Sequence, residues 1–128
     1  GKIKDRWLEE ALGEYEKRLS HSAQIEWVLV KNDEQLIAKA LESSPFISLD
    51  PEGKEYDSPS FAQFLSQQHI KFSFVIGGAE GLPSILKKRA SQLISLSKMT
   101  LTHQMCRLLL LEQIYRGFEI NRNSPYHK

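Results

Sequence analysis

Strand-like and helix-like segments alternate along the whole chain, and that alternation limits the folds open to it more than any other feature. Trp7, Leu8, Ala11, Leu12, Tyr15 and Leu19 recur at helical spacing between charged residues, so residues 3–19 read as an amphipathic helix. Residues 24–30 are short, β-branched and apolar, and read as a strand. Leu36, Ile37, Ala40 and Leu41 mark a second helix. Phe46 to Leu49 reads as a strand that stops at the turn signal Asp50-Pro51-Glu52-Gly53. Ser58-Pro59 supplies an N-cap and then a proline at the first helical position, ahead of a helix whose inner face is Phe61, Phe64 and Leu65. Residues 71–76 form a strand running into the glycine-rich turn 77–81. Pro83 opens a helix carrying Lys87-Lys88-Arg89, residues 93–96 make the last strand, and 103–121 the longest helix. Residues 122–128 are a polar tail.

Strands separated by helices pair in parallel, because a crossover helix returns the chain to the same edge. The expected fold is therefore α/β, a mostly parallel sheet with helices on both faces. In such sheets the ligand crevice lies at the carboxyl ends of the strands. Those ends are the segments after Leu49, Ile76 and Leu96. At 128 residues the chain suits one domain with one real core. No apolar run approaches the roughly 20 residues of a membrane-spanning helix, and no N-terminal stretch has a signal-peptide layout. The single cysteine, Cys106, cannot form an internal disulfide or a cysteine-based zinc site. No two histidines have metal-ligand spacing, so no metal is expected, and the setting is expected to be cytoplasmic.

Charge is distributed unevenly. Residues 1–81 hold 9 Lys and Arg against 14 Asp and Glu, whereas residues 82–128 hold 8 against 2, the two acids being Glu112 and Glu119. A basic C-terminal part suits an anionic partner such as a nucleic-acid backbone, or a solvated face balanced by the acidic half or by another subunit. The turn at 77–81 has glycines that permit close backbone approach, but neither the P-loop nor the dinucleotide spacing. It reads equally as a ligand turn and as a plain strand–helix connection. Residues 96–101 could set main-chain groups around a purine-like ring or could simply connect a strand to a capped helix.

The last helix has two apolar stripes. Leu108, Leu110, Leu111, Ile114, Tyr115 and Phe118 form a broad face; Met105, Cys106, Leu109 and Ile120 lie nearly opposite. Such a helix needs two partners, one its own sheet and the other a second subunit. Arg107 falls within the first face and Arg116 within the second stripe, where a charge needs an anion, an acceptor or a salt bridge across an interface. The tail residues Tyr126 and His127 beside Pro125 suit stacking on a base and moving a proton, or fray as a terminus. His21 and His69 read as surface or loop residues, His103 as a cap or a ligand, and Cys106 as packing.

Four stretches together carry a resemblance: Phe74-Val75-Ile76-Gly77-Gly78-Ala79-Glu80-Gly81-Leu82; Ser95 to Leu101; His103 through Arg107 to Tyr115-Arg116; and Tyr126-His127-Lys128. They resemble the ribosomal RNA large subunit methyltransferase H family, small SPOUT-class enzymes with a C-terminal deep trefoil knot that methylate N3 of a pseudouridine in 23S rRNA. The resemblance implies a homodimer with S-adenosylmethionine held in the knot by Leu49, Gly77 and the run Leu96, Ser97, Lys98, Met99, Thr100 and Leu101. The chain begins at Gly1-Lys2, where the family has a preceding strand ending in Gly-Lys. A single domain over residues 1–128 lacking that strand is expected. The connection from Val30 to Leu36 is shorter than the family's, and Thr102 stands where a proline is common.

An activated methyl leaves the enzyme two tasks, alignment and removal of the imide proton. The expected roles are Arg116 stabilising the charge that spreads to the flanking carbonyls, His127 as base or proton relay, and Tyr126 positioning the nucleoside. Arg107 is expected to support cofactor or interface geometry. The rival readings are a knotted 2′-O-ribose RNA methyltransferase and a non-catalytic nucleotide- or ribosome-binding module.

Overall fold

The computed structural model describes residues 5–68, 71–78 and 80–127. Gly1, Lys2, His69, Ala79 and Lys128, named above, and the first two residues of the expected helix 3–19 lie outside them. Eight elements follow in order: α1 (Arg6–Leu19), α2 (Asp33–Glu42), β1 (Phe46–Glu55), α3 (Ser58–Ser66), β2 (Ser73–Ile76), α4 (Ser84–Arg89), β3 (Gln92–Ser95) and α5 (His103–Asn121). The strands form a sheet in the order β2-β1-β3, with both pairs parallel. Alternate residues of β1 feed two cores. Ile47 and Leu49 join Leu12, Leu19, Phe61, Leu65, Leu110, Leu111 and Ile114 beneath α1, α3 and α5. Phe46 joins Ala40, Val75, Leu82 and Leu86 beneath α2 and α4. The expected helices on both faces are present. Ser48, fully buried on the second face, donates its hydroxyl to the Leu86 carbonyl at 2.9 Å, so no polar atom is stranded there.

Three local expectations change. Residues 24–30 form no strand; they carry no regular secondary structure and pair with no described strand, with Val28 and Leu29 exposed at 55% and 50%. Alternation of side chains sets faces, but a strand also needs a neighbouring edge to complete its ladder. Second, β1 does not end at Leu49. The turn signal at 50–53 is an excursion, and both Leu49 and Lys54 face Ile94 of β3. Gly53 makes the return possible, since a Cβ there would sit 2.7 Å from the Ile94 backbone. Third, the N-cap of α3 is Asp57 rather than Ser58. Its carboxylate accepts the Ser60 N–H at 2.8 Å, a bond that holds the acid below its usual range.

The longest helix, α5, packs against α3 and α1 rather than mainly on the sheet. Gly117 lets it press close to α3, because a Cβ would meet Leu65 Cδ1 at 2.6 Å. Ser58 donates its hydroxyl to Gln113 Oε1 at 2.8 Å, and Asn121 donates to the Ala62 carbonyl at 3.0 Å, tying the same two helices. The second stripe of α5 remains partly open, with Leu109 37% exposed.

Candidate active site

The parallel register brings two of the expected turns to one edge. Leu49 pairs with Ile76 on one side and with Ile94 on the other, so Gly77 and Leu96 leave the sheet on either side of the central strand. Two strand spacings separate them, about 10 Å. Gly77 is tightly enclosed: a Cβ would lie 2.7 Å from Gly81 C and O and 2.8 Å from Leu82 N. The turn closes by the Gly81 N–H donating to the Gly78 carbonyl at 3.0 Å, with Gly81 in the left-handed region at φ 91°. Gly78 faces open space. In the other turn Ser95 Oγ donates to the Ser97 carbonyl at 2.9 Å, and Ser97 Oγ accepts the Met99 N–H at 3.0 Å. Lys98, Met99 and Thr100 are exposed, and Thr102 caps α5 by accepting the Met105 N–H at 3.2 Å. A cleft of about 400 Å3 lined by Glu16, Ser20, Ala23, Gln24 and Ile25 contains none of these residues.

A second cluster forms around the tail, which is folded back rather than frayed. Asn123 takes φ 59°; its N–H donates to the Ile120 carbonyl and the Ser124 N–H to the Glu119 carbonyl, both at 3.0 Å. This left-handed helix stop reverses the chain. The Tyr126 hydroxyl then donates to Glu112 Oε2 at 2.9 Å, and its ring meets Tyr115 edge-on with centroids 4.8 Å apart. The Arg116 guanidinium lies 4.7 Å from the Tyr126 ring and donates to Glu112 through Nη2 at 3.0 Å and Nε at 3.2 Å. That hydrogen-bonded carboxylate raises the Arg116 pKa further; burial first, and the bond to Glu112 second, hold the Tyr126 phenol well above its ordinary value. Arg116 Nη1 is 3.0 Å from His127 Nδ1. A guanidinium can only donate, so Nδ1 accepts and the imidazole proton sits on Nε2.

Arg107 is buried within the first face at 8% exposure, which lowers its pKa; its guanidinium lies 5.3 Å from the Trp27 ring and donates to Gln104 at 3.2 Å. Burial likewise raises the Cys106 thiol, which favours its protonated form, and lowers the His103 imidazole, which favours its neutral form. Among the described residues no group of His, Cys, Asp and Glu could hold a metal, and no helix is long and apolar enough to cross a membrane.

A family model described as "Predicted SPOUT methyltransferase" matches residues 1–127. The chain belongs to the SPOUT methyltransferase family. Curated relatives called "Ribosomal RNA large subunit methyltransferase H" align with all of it. That of Protochlamydia amoebophila is 50% identical, with 94% of the relative covered. Those of Carboxydothermus hydrogenoformans and Streptococcus pyogenes serotype M12 are 41% and 40% identical, each 95% covered. The latter two alignments extend over 151 positions against 128 residues here, so those relatives carry residues within the matched span that this chain lacks.

In this SPOUT methyltransferase the residues expected to hold a methyl donor and those expected to act on the substrate form separate clusters. Leu49, Gly77 and 96–101 share the strand-end edge; Arg116, Tyr126 and His127 share the tail. The rise of α5 from Thr102 to Arg116 is about 20 Å. Leu49 itself is buried, leaving its main chain and the excursion after it to face the edge. Sequence reasoning missed Glu112, which joins Arg116 and Tyr126; its signal was the four-residue spacing to Arg116 on one helix face. It also missed the reversal at Asn123, for which Asn after a helix end is the usual mark.

Proposed function

We propose that this protein transfers a methyl group from S-adenosylmethionine to N3 of a pseudouridine in 23S rRNA, acting as a cytoplasmic homodimer of one knotted domain over residues 1–128. The observation that carries the reading is the exit of the Gly77 and Leu96 turns on either side of the central strand, at the carboxyl edge of a parallel sheet in a chain of this family. The names of the full-length relatives support the rRNA substrate.

The residues at the edge fit an adenosyl ligand. The Met99 N–H and the Ser97 carbonyl are bonded within the 96–101 turn and hold its shape, so the turn's other main-chain groups would meet the ligand, and Gly78 leaves room beside the closed Gly77 turn. Leu49, Gly77, Leu96, Ser97, Lys98, Met99, Thr100 and Leu101 would hold the donor there. When bound, S-adenosylmethionine supplies a methyl activated by its sulfonium charge. The tail performs the rest. Tyr126 stacks on or beside the nucleobase. His127 takes the N3 proton through Nδ1, the nitrogen now facing Arg116, and the exchange frees Arg116 Nη1 to donate to the carbonyl oxygen on which negative charge develops. Because α5 separates the tail from the 96–101 turn, each active site draws the turn from one protomer and the tail from its partner. The open stripe of Met105, Cys106, Leu109 and Ile120 supports a second copy packing on α5.

The test is mass spectrometry of rRNA from a strain lacking the protein, before and after incubation with it and S-adenosylmethionine. One added methyl on a pseudouridine base is expected. A ribose methyl, or no product, overturns the reading.

A further inference from the structure

The basic C-terminal part of the chain, residues 82–128, contains only two acids. Glu112 and Glu119 stand seven residues apart on α5, almost two full turns, and so share one side of it. Both contact the tail. Glu112 belongs to the cluster described above. Glu119 is harder to explain, since it is buried and lies in the last turn of the helix, where the carbonyl end of the dipole disfavours a carboxylate. Its Oε1 accepts Ser124 Oγ at 3.1 Å and Arg122 Nη2 at 3.2 Å.

The bond from Ser124 has a directional consequence. An ionised carboxylate can only accept, so the Ser124 hydroxyl must point its hydrogen at Glu119. That leaves the hydroxyl's lone pairs for the Tyr126 N–H, which donates to them at 3.3 Å. The main-chain bonds of the helix stop end at Ser124, and this hydroxyl relay carries the tether on to the Tyr126 main chain, beside the bonds that the Tyr126 and His127 side chains make to Glu112 and Arg116. We propose that Glu119 is a positioning residue: through Ser124 it fixes the course of residues 124–127, so that Tyr126 and His127 are set against Arg116 before RNA arrives. Glu119 touches no substrate. The inference rests on the tail being the catalytic element of the proposed function.

The experiment uses the full-length chain with rRNA and S-adenosylmethionine. Glu119→Ala and Ser124→Ala each break the relay, while Glu119→Gln keeps an acceptor oxygen. In the first two, kcat is expected to fall about ten- to a hundredfold, as displacement of catalytic groups by an ångström does, while calorimetric affinity for S-adenosylmethionine is unchanged. Glu119→Gln retains most of the rate. Hydrogen exchange at the Tyr126 amide is faster in the two alanine variants. Added to a chain that already carries both Tyr126→Ala and His127→Ala, Glu119→Ala costs no further rate, because a residue acting through the tail has nothing left to position. A Tyr126 amide still protected in Glu119→Ala overturns the proposal, as does an equal loss of rate in that doubly substituted background. Should Glu119→Ala fail to fold, Ser124→Ala carries the same comparison, as its partly exposed side chain is not part of the core. Failure of the unaltered protein to methylate rRNA would count against the enzyme reading, while the amide exchange would still decide whether Glu119 holds the tail.

Discussion

Replacing Gly77 by alanine gives the sharpest test of the strand-end turn. An added Cβ would lie 2.7 Å from both C and O of Gly81 and 2.8 Å from Leu82 N. Ordinary carbon contacts settle at about 3.5–4.0 Å, so the overlap approaches one ångström against three main-chain atoms, none of which can turn aside as a side chain would. The turn has to open, and overpacking of this kind costs about 1–3 kcal/mol. Gly78, the next residue, faces nothing within 4 Å and serves as the internal control; Gly78→Ala is expected to change stability by less than about 0.5 kcal/mol. Urea unfolding measures the first quantity, and calorimetric titration with S-adenosylmethionine the second. Opening the turn displaces main-chain groups at the proposed donor site, so affinity in Gly77→Ala is expected to fall at least about tenfold, equivalent to 1.4 kcal/mol. A Gly77→Ala protein with unchanged urea midpoint and unchanged affinity would refute both the tightness of the turn and its part in binding.

Two further perturbations address the tail. His127→Ala is expected to lower the methylation rate by roughly 10²–10⁴, the range for loss of a general base, with affinity for S-adenosylmethionine nearly unchanged; equal activity in single-turnover assays would remove His127 from the chemistry. The Tyr126 phenol is held above its ordinary value near 10 in the folded protein, so the unfolded chain loses that proton first. Its contribution to stability is full below about pH 10 and is lost as the pH climbs toward the higher folded value. Tyr126→Phe should flatten this part of the decline in urea midpoint between about pH 9 and pH 11. A variant with the same alkaline slope as the unaltered chain would mean that the phenol is not protected by burial and Glu112.

Much of the fold was legible because its signals are local or periodic. Leu8, Leu12 and Leu19 mark the buried side of α1, and Phe61 and Leu65 that of α3, as their spacing required. Asn123 and the pairing of Glu112 with Arg116 were equally local, and went unread because the tail's polarity pointed to fraying. What the sequence could not convey was pairing over distance. Nothing in residues 24–30 tells whether an edge lies beside them, and nothing in 50–53 tells that the chain will return to β3 against Gly53. For the site, the two turns were found by topology, since parallel strands gather their carboxyl ends. The attachment of Tyr126 and His127 to α5 depends on a reversal and on Glu112, fourteen residues from its tyrosine partner.

The two-sided character of α5 connects these observations. A helix serving one core would carry a single apolar face; α5 buries Leu110, Leu111 and Ile114 against α1 and α3, yet leaves Leu109 open on the other side. Its amino end begins at the 96–101 turn and its far end carries Arg116 and the returned tail, and no bend of a regular helix brings those ends together. Along the axis of α5 the start of the helix and Arg116 are therefore about 20 Å apart. A second copy laid antiparallel along the open stripe would bring each tail toward the other's turn and cover Leu109 in the same step. Dimerisation would then be a condition of methyl transfer, and dilution below the dimer's dissociation constant should abolish turnover while leaving the Glu112, Arg116 and Tyr126 cluster of each chain intact. Turnover proportional to protein concentration through that range, with sedimentation reporting monomer, would show that one chain suffices and that the tail reaches its own turn.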